Sequence, residues 1–454
     1  DTSKLKRFAQ HARRLLRDQV KAKMALVLAA DSAARRESLE AVKELEAQIH
    51  QTSTEQVLDR VAYTWFNRFC ALRFMDLNGY NAVRVVSPAD ESQFQPEILA
   101  DAKQGHINET RVPDKTRQRV DALLSGQATS NDPQQEAYRL LVVAECNAFH
   151  QAMPYLFERI ADYTELLMPD DLLSGNSVLA YTREAMTPDA CQDVEVIGWL
   201  YQFYISEKKD QVFEGLKKNQ KITPENIPAA TQLFTPHWIV RYLVENSLGR
   251  LWMLNHPNSP LAGQMAYYIA PEATDKPETD FLKIDKPEDI KICDPACGSG
   301  HMLTYAFDLL YAIYEEVGTE KTEIAEKILT HNLFGIEIDE RAGELAAFAL
   351  TMKARSKSKS RFFNKGIKPH ICVLQKVSFD PDELNDYMAE VGRDLFTREL
   401  QGTLQQFADV DNLGSLIKPQ LSSVADVLAV LQAKDMVGNL FLANTHAKVL
   451  QVLH

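Results

Sequence analysis

The 454-residue sequence lacks any apolar run approaching the ~18–20 residues of a membrane helix, and its start has no apolar secretion core. A soluble, cytoplasmic protein with no membrane contact is therefore expected. Cysteine is sparse, with six dispersed residues: Cys70, Cys146, Cys191, Cys293, Cys297 and Cys372. A chain of this length buries a core without disulfide staples, and scattered thiols suit a reducing compartment. No Cys or His pair complements Cys293 and Cys297 at zinc-site spacing, so no metal centre is expected. Fixed-period repeats and low-complexity tracts are also missing. An overall basic excess is absent too: 50 Lys and Arg stand against 63 Asp and Glu, a net charge of −13. Any polyanion would have to meet local patches.

Two such patches exist. Residues 1–24 carry eight basic side chains and two acids, on an amphipathic helical pattern open to DNA contact, to packing with its charges outward or, the favoured reading, to docking of a protein. Residues 353–368 carry seven basic side chains, no acid, and Phe362 and Phe363 between them. That run reads as a loop between helix and strand, either merely solvated or reaching DNA phosphates.

The length suggests two or three domains. Up to about residue 225 the pattern is helical. In the segment starting near Thr52 and Glu55, a capping-box pair, apolar residues recur at Leu58, Val61, Ala62, Trp65, Phe69 and Leu72. Arg60, Arg68 and Arg73 fall off that stripe, and the segment stops at Asn78-Gly79. The aromatic cluster Trp65, Phe66, Phe69 and Phe74 reads as core rather than as a base-stacking platform. Residues 84–134, with four prolines, read as a loop-rich insertion. Helix resumes at about 135–165 and 194–213.

After residue 225 the texture changes. Short β-type runs at 290–293, 333–338 and 371–374 alternate with helical patterns at 301–317 and 341–352. Strand, helix, strand, helix, strand predicts right-handed crossovers and a parallel sheet. The expected fold is α/β: an all-α N-terminal domain (1–225), then a doubly wound, Rossmann-like domain (226–454).

In such a sheet, ligands bind beyond the carboxyl ends of the strands. The turn after the first strand is Asp294-Pro295-Ala296-Cys297-Gly298-Ser299-Gly300. Its glycines allow close approach of backbone to ligand, and the next helix offers its N-terminus. The spacing is not G-x-G-x-x-G, which argues against a nicotinamide-dependent oxidoreductase. Glu337 closes the second strand, where a carboxylate can accept ribose hydroxyls. Phe234-Thr235-Pro236 precedes the amphipathic segment 238–248. Each feature alone has a plain structural explanation: a tight turn, an exposed acid, a proline at a helix start.

Together they resemble the S-adenosylmethionine-dependent, adenine-specific DNA methyltransferases, in which the cofactor segments precede target recognition. Segments 61–80, 197–210 and 231–252 look like the PglX methyltransferases of BREX phage-defence systems, and the likeness covers nearly the whole chain. The resemblance implies that Phe234, Thr235 and Pro236 help hold the methionine end. It implies further that Asp294, Pro295, Ala296, Gly298, Ser299 and Gly300 wrap methionine and ribose, that Glu337 takes the ribose hydroxyls, and that Ile338 packs on the adenine. It implies adenine-N6 methylation of double-stranded DNA, other BREX proteins as partners, and phage-encoded inhibitors as further ones.

The family's Asn-Pro-Pro-Tyr, which holds the flipped adenine, is missing, since no two prolines are adjacent. No catalytic residue is thus assigned. The sequence stops about where a fourth strand is expected, which reads as the N-terminal part of a longer protein, able to hold cofactor but not to methylate. No acid follows the third strand until Asp380, so the residue that meets the cofactor's amino group stays open between Ser378 and Asp380. A cofactor-bound scaffold that recognises partner or phage proteins without methylating is the alternative.

Overall fold

The computed structural model describes residues 2–158, 163–223, 226–233, 235–272, 278–358, 360–392, 395–421, 423–433 and 440–453. The first helix, α1 (Thr2–Leu28), buries Leu5, Phe8, Ala12, Leu16, Val20, Met24 and Val27, a stripe at helical spacing. Its basic residues largely turn to acids of the same chain: Arg17 to Asp59 (3.0 Å), Lys23 to Asp170 (2.5 Å), Arg13 to Glu207 (3.7 Å) and Lys4 to Glu184 (4.0 Å). Lys6, Arg7 and Lys21 are exposed, so the basic charge of this helix is divided between intrachain ion pairs and solvent.

α2 (Thr54–Leu77) starts from Ser53, whose hydroxyl accepts the Gln56 N–H; Thr52 instead ends the preceding helix. Trp65, Phe66, Phe69 and Phe74 are core, as expected. Arg68 and Arg73 lie off the apolar stripe yet are buried. Arg73 makes a two-pronged pair with Glu91 (2.9 Å each) and donates to the Met186 carbonyl at 3.1 Å. Such a pairing offsets the cost of taking a guanidinium out of water.

The stretch expected to be loop-rich is partly helical, at Glu97–Lys103 and Asp114–Leu124. Buried Asp76 anchors its start, accepting the N–H groups of Val85, Val86 and Ser87 at 2.9–3.0 Å. The helical half is completed by α3 (Pro133–Phe149) and α4 (Glu195–Lys217), with α4 lying along α1.

After α5 (His237–Val244) come β1 (Ile292–Asp294), α6 (His301–Glu316), β2 (Leu333–Glu337), α7 (Glu340–Lys357) and β3 (His370–Val373). The strands form a parallel sheet with β2 central; Asp294 pairs with Gly335, and Glu337 with Val373. Together with the helices this is an α/β arrangement. α7 belongs to two cores. Ala342, Leu345, Phe348 and Met352 pack into the helical half, whereas Ala346, Leu350 and Ala354 pack with α6 and the sheet.

The 353–368 run is not a free cationic loop. Lys353 pairs with Asp308 (2.8 Å) and Asp193 (3.1 Å), Lys365 with Glu326 (2.8 Å), and the Arg355 guanidinium lies 4.8 Å over the Tyr80 ring. Phe362 is buried. Beyond β3, four helices (Pro381–Val391, Leu395–Gln406, Val424–Gln432 and Leu440–Leu453) enclose a third core. The end of the described chain is thus helix rather than the start of a fourth strand. No described helix is long and apolar enough to cross a membrane.

Candidate functional site

β1 and β2 end side by side, and their turns meet. Asp294 accepts the Ala296 N–H at 3.2 Å, which folds the chain back on itself. The Cys297 N–H reaches the Ile336 carbonyl at 3.0 Å, continuing the strand pairing into the turn. Gly298 and Gly300 take φ of +53° and +85°, conformations that glycine adopts without steric penalty. At Gly298 a Cβ would meet only Gln232 Oε1, at 3.6 Å, so this side of the turn is open. At Gly300 it would come within 3.0 Å of the Ala346 Cβ, so that glycine lets α6 and α7 approach.

Glu337 sits at the centre. Its Oε2 accepts the Gly298 N–H at 2.7 Å, and its Oε1 accepts those of Ile338 (2.9 Å) and Asp339 (3.0 Å). Burial raises its pKa, and the three N–H donors pull it back. A carboxylate offers about four lone-pair directions, so three donors leave it able to take one more hydrogen bond. Burial likewise raises the Asp294 carboxyl.

The turn residues predicted from sequence are therefore brought together. Asp294, Gly298 and Ser299 are half-buried, Pro295 and Ala296 are exposed at the rim, and Ile338 is half-buried, its Cγ2 close to Gly414. Thr235 is half-buried, and Pro236 is exposed as the cap of α5; Phe234 lies outside the described residues. That segment is tied to the turns through its neighbours. The Gln232 amide points to Asp339 (3.4 Å), and His237 lies 3.7 Å from Glu195 of α4. Asp380 caps the helix Pro381–Val391, accepting from Asp382 and Glu383 at 3.0 and 3.2 Å.

Sequence reasoning missed several residues here. Asp339 is buried, caps α7 through the Arg341 N–H (3.2 Å), and accepts the Tyr201 hydroxyl. Its Asp-Glu-Arg context at a helix start is a capping signal that sequence does carry. Gly198, on α4, faces the glycine turn so closely that a Cβ would fall 2.5 Å from His301 Nε2 and 2.7 Å from Ser299 Oγ. Ser299 Oγ and His301 Nε2 are in turn hydrogen-bonded at 3.0 Å, and burial pushes the His301 imidazole down to about 4. Nothing local in sequence marks Gly198 or Tyr201 as neighbours of this turn. Among the described residues no cluster of His, Cys, Asp and Glu could hold a metal ion.

The comparisons fit this geometry. The family described as MmeI, DNA-methyltransferase domain, matches residues 273–369, the stretch that carries both turns. The adenine-specific methyltransferase BrxX of Escherichia coli O9:H4 (strain HS) is 38% identical over 95% of this chain and 39% of its own length. The adenine-specific methyltransferase PglX of Lacticaseibacillus casei (strain Zhang) is 36% identical over 82% of this chain and 31% of its own length. The chain is a homologue of the BrxX and PglX methyltransferases. It spans well under half the length of either relative, and the matched stretch takes in the helical half as well as the sheet.

Proposed function

We propose that the chain holds S-adenosylmethionine between the turns after β1 and β2, as the cofactor portion of an adenine-N6-specific DNA methyltransferase of a BREX phage-defence system. The single observation that carries this reading is Glu337, a buried carboxylate at the end of β2 that faces an open glycine turn and keeps acceptor capacity to spare. That chemistry fits a ribose. In this reading the sheet is the first half of a Rossmann-like doubly wound fold, residues 1–225 form the helical domain, and residues 226–454 form the cofactor domain.

Glu337 accepts a ribose hydroxyl, and a second one requires the Gly298 N–H to let go of Oε2. Ile338 offers an apolar face to the adenine. Asp294, with Pro295 and Ala296 at the rim, lies where the amino group of a methionine moiety would be drawn. Gly298, Ser299 and Gly300 line the backbone path, and Phe234, Thr235 and Pro236 are assigned to holding the methionine end. When bound, the cofactor supplies an electrophilic methyl group. Double-stranded DNA as substrate, other BREX proteins and phage-encoded inhibitors as partners, and a cytoplasmic location complete the proposal.

Calorimetric titration tests it. S-adenosylmethionine should bind and NADH should not; absence of S-adenosylmethionine binding overturns the reading. Transfer of isotope-labelled methyl to host DNA by a protein of the relatives' full length separates a methyltransferase from a scaffold that merely holds cofactor.

A further inference from the structure

The helical half reaches the second turn through side chains outside the glycine turn and the strand ends. Tyr201 of α4 is buried, and its hydroxyl donates to Asp339 Oδ2. The Tyr201 ring is itself set by Tyr63 of α2, edge-on at 5.4 Å, and Tyr63 lies under the Arg341 guanidinium at 4.8 Å. Gln232 approaches from the other side. Lys209 of α4 donates to its carbonyl at 2.8 Å, its Nε2 points to Asp339 Oδ2 at 3.4 Å, and its Oε1 stands beside Gly298. One side chain thus spans from the first turn to the second.

We propose that Tyr201 and Gln232 are positioning residues of the cofactor site: they fix Asp339, and with it the turn that presents Glu337 and Ile338, so that the helical half sets the affinity for the nucleoside. The link is short. The Asp339 side chain is held by Tyr201, Gln232 and the Arg341 N–H, while its backbone N–H donates to Glu337 Oε1 at 3.0 Å. Anchoring the one fixes the direction of the other. A carboxylate this enclosed has a strong preference for donors, and the loss of one leaves the turn free to relax toward water. The Tyr201 hydroxyl bonds Asp339, one residue removed from Glu337 in this chain of contacts, hence a positioning role.

The inference rests on the S-adenosylmethionine reading above, and the test separates the two. S-adenosylmethionine and adenosine are titrated into the full chain and into Y201F, D339A, the Y201F/D339A double variant and Q232A, with thermal unfolding of each measured without ligand. Y201F is expected to weaken S-adenosylmethionine about tenfold and adenosine by the same factor, because the turn holds the nucleoside. The double variant is expected to be no weaker than D339A alone, since either change removes the Tyr201–Asp339 contact. Q232A, at a half-buried position, should weaken both ligands several-fold even if Y201F does not fold. Wild-type affinity in Y201F and Q232A, or losses that multiply in the double variant, overturn the positioning role. A wild-type chain that binds neither ligand overturns the cofactor reading as well.

Discussion

The Gly298 N–H donates to Glu337 Oε2 across 2.7 Å, tying the end of β1 to the end of the neighbouring strand β2. Removing the carboxylate therefore does two things: it takes away the proposed ribose acceptor and it frees the glycine turn. Glu337→Ala should weaken S-adenosylmethionine by about 1–3 kcal/mol in calorimetry. Unchanged affinity would remove Glu337 from the site.

The two glycines of that turn should respond differently. Gly300→Ala combines left-handed strain of about 1–2 kcal/mol with a contact at 3.0 Å to Ala346, so its effect should appear first as a lower melting temperature. Gly298→Ala carries the same left-handed strain but meets only Gln232 Oε1, at 3.6 Å, so it should lower the melting temperature less than Gly300→Ala while also weakening ligand affinity. Equal behaviour of the two variants in melting and titration would contradict this division.

Gly198→Ala places a methyl group 2.5 Å from the buried imidazole of His301. Either the His301 and Ser299 side chains turn away and lose their hydrogen bond or the helices part, so destabilisation of about 1–3 kcal/mol is expected. A urea titration that leaves the midpoint in place would show that the helices part more easily than the contact suggests.

Arg73→Ala should be among the most damaging changes in the helical half. It empties a fully buried position, leaves the Met186 carbonyl without the Arg73 donor, and strips Glu91 of both close bonds, leaving it Arg84 at 3.5 Å. A loss on the order of 3 kcal/mol is expected in urea unfolding.

His301 predicts a pH dependence. Its folded pKa of about 4 lies below the ordinary 6.5, so the unfolded chain binds the extra proton first. Stability from this group is present above pH 6.5 and falls as pH drops toward 4, by at most about 3 kcal/mol. Asp76, raised to about 6 by burial, works in the opposite sense, because the folded chain binds its proton first. Comparison with His301→Asn isolates the histidine. The variant should lose less stability than the parent between pH 6.5 and 4, and parallel curves would refute the assignment.

What sequence revealed was local. The stripe on α1, the aromatic core of α2, the three strands to within two residues, and the turn residues from Asp294 to Ile338 all follow from spacing that neighbours in sequence create. What it concealed depends on distant partners. Arg73 reads as an off-face charge until Glu91 and Met186 are placed beside it. The basic side chains of α1 read as a docking surface until Asp59, Asp170 and Glu207 meet them. Tyr201 lies 138 residues from Asp339, and no periodicity reports that they touch. The proline-bearing stretch after residue 84 looked irregular because the anchor of its backbone, Asp76, sits on the preceding helix.

The double duty of α7 governs how the molecule comes apart. A helix that seals two cores at once cannot be assigned to either, so severing the connection between residues 217 and 237 would leave both pieces with an uncovered face. Protease nicking in that connector should yield fragments that co-migrate until denatured. Loss of order should then sweep through both halves in one event instead of two.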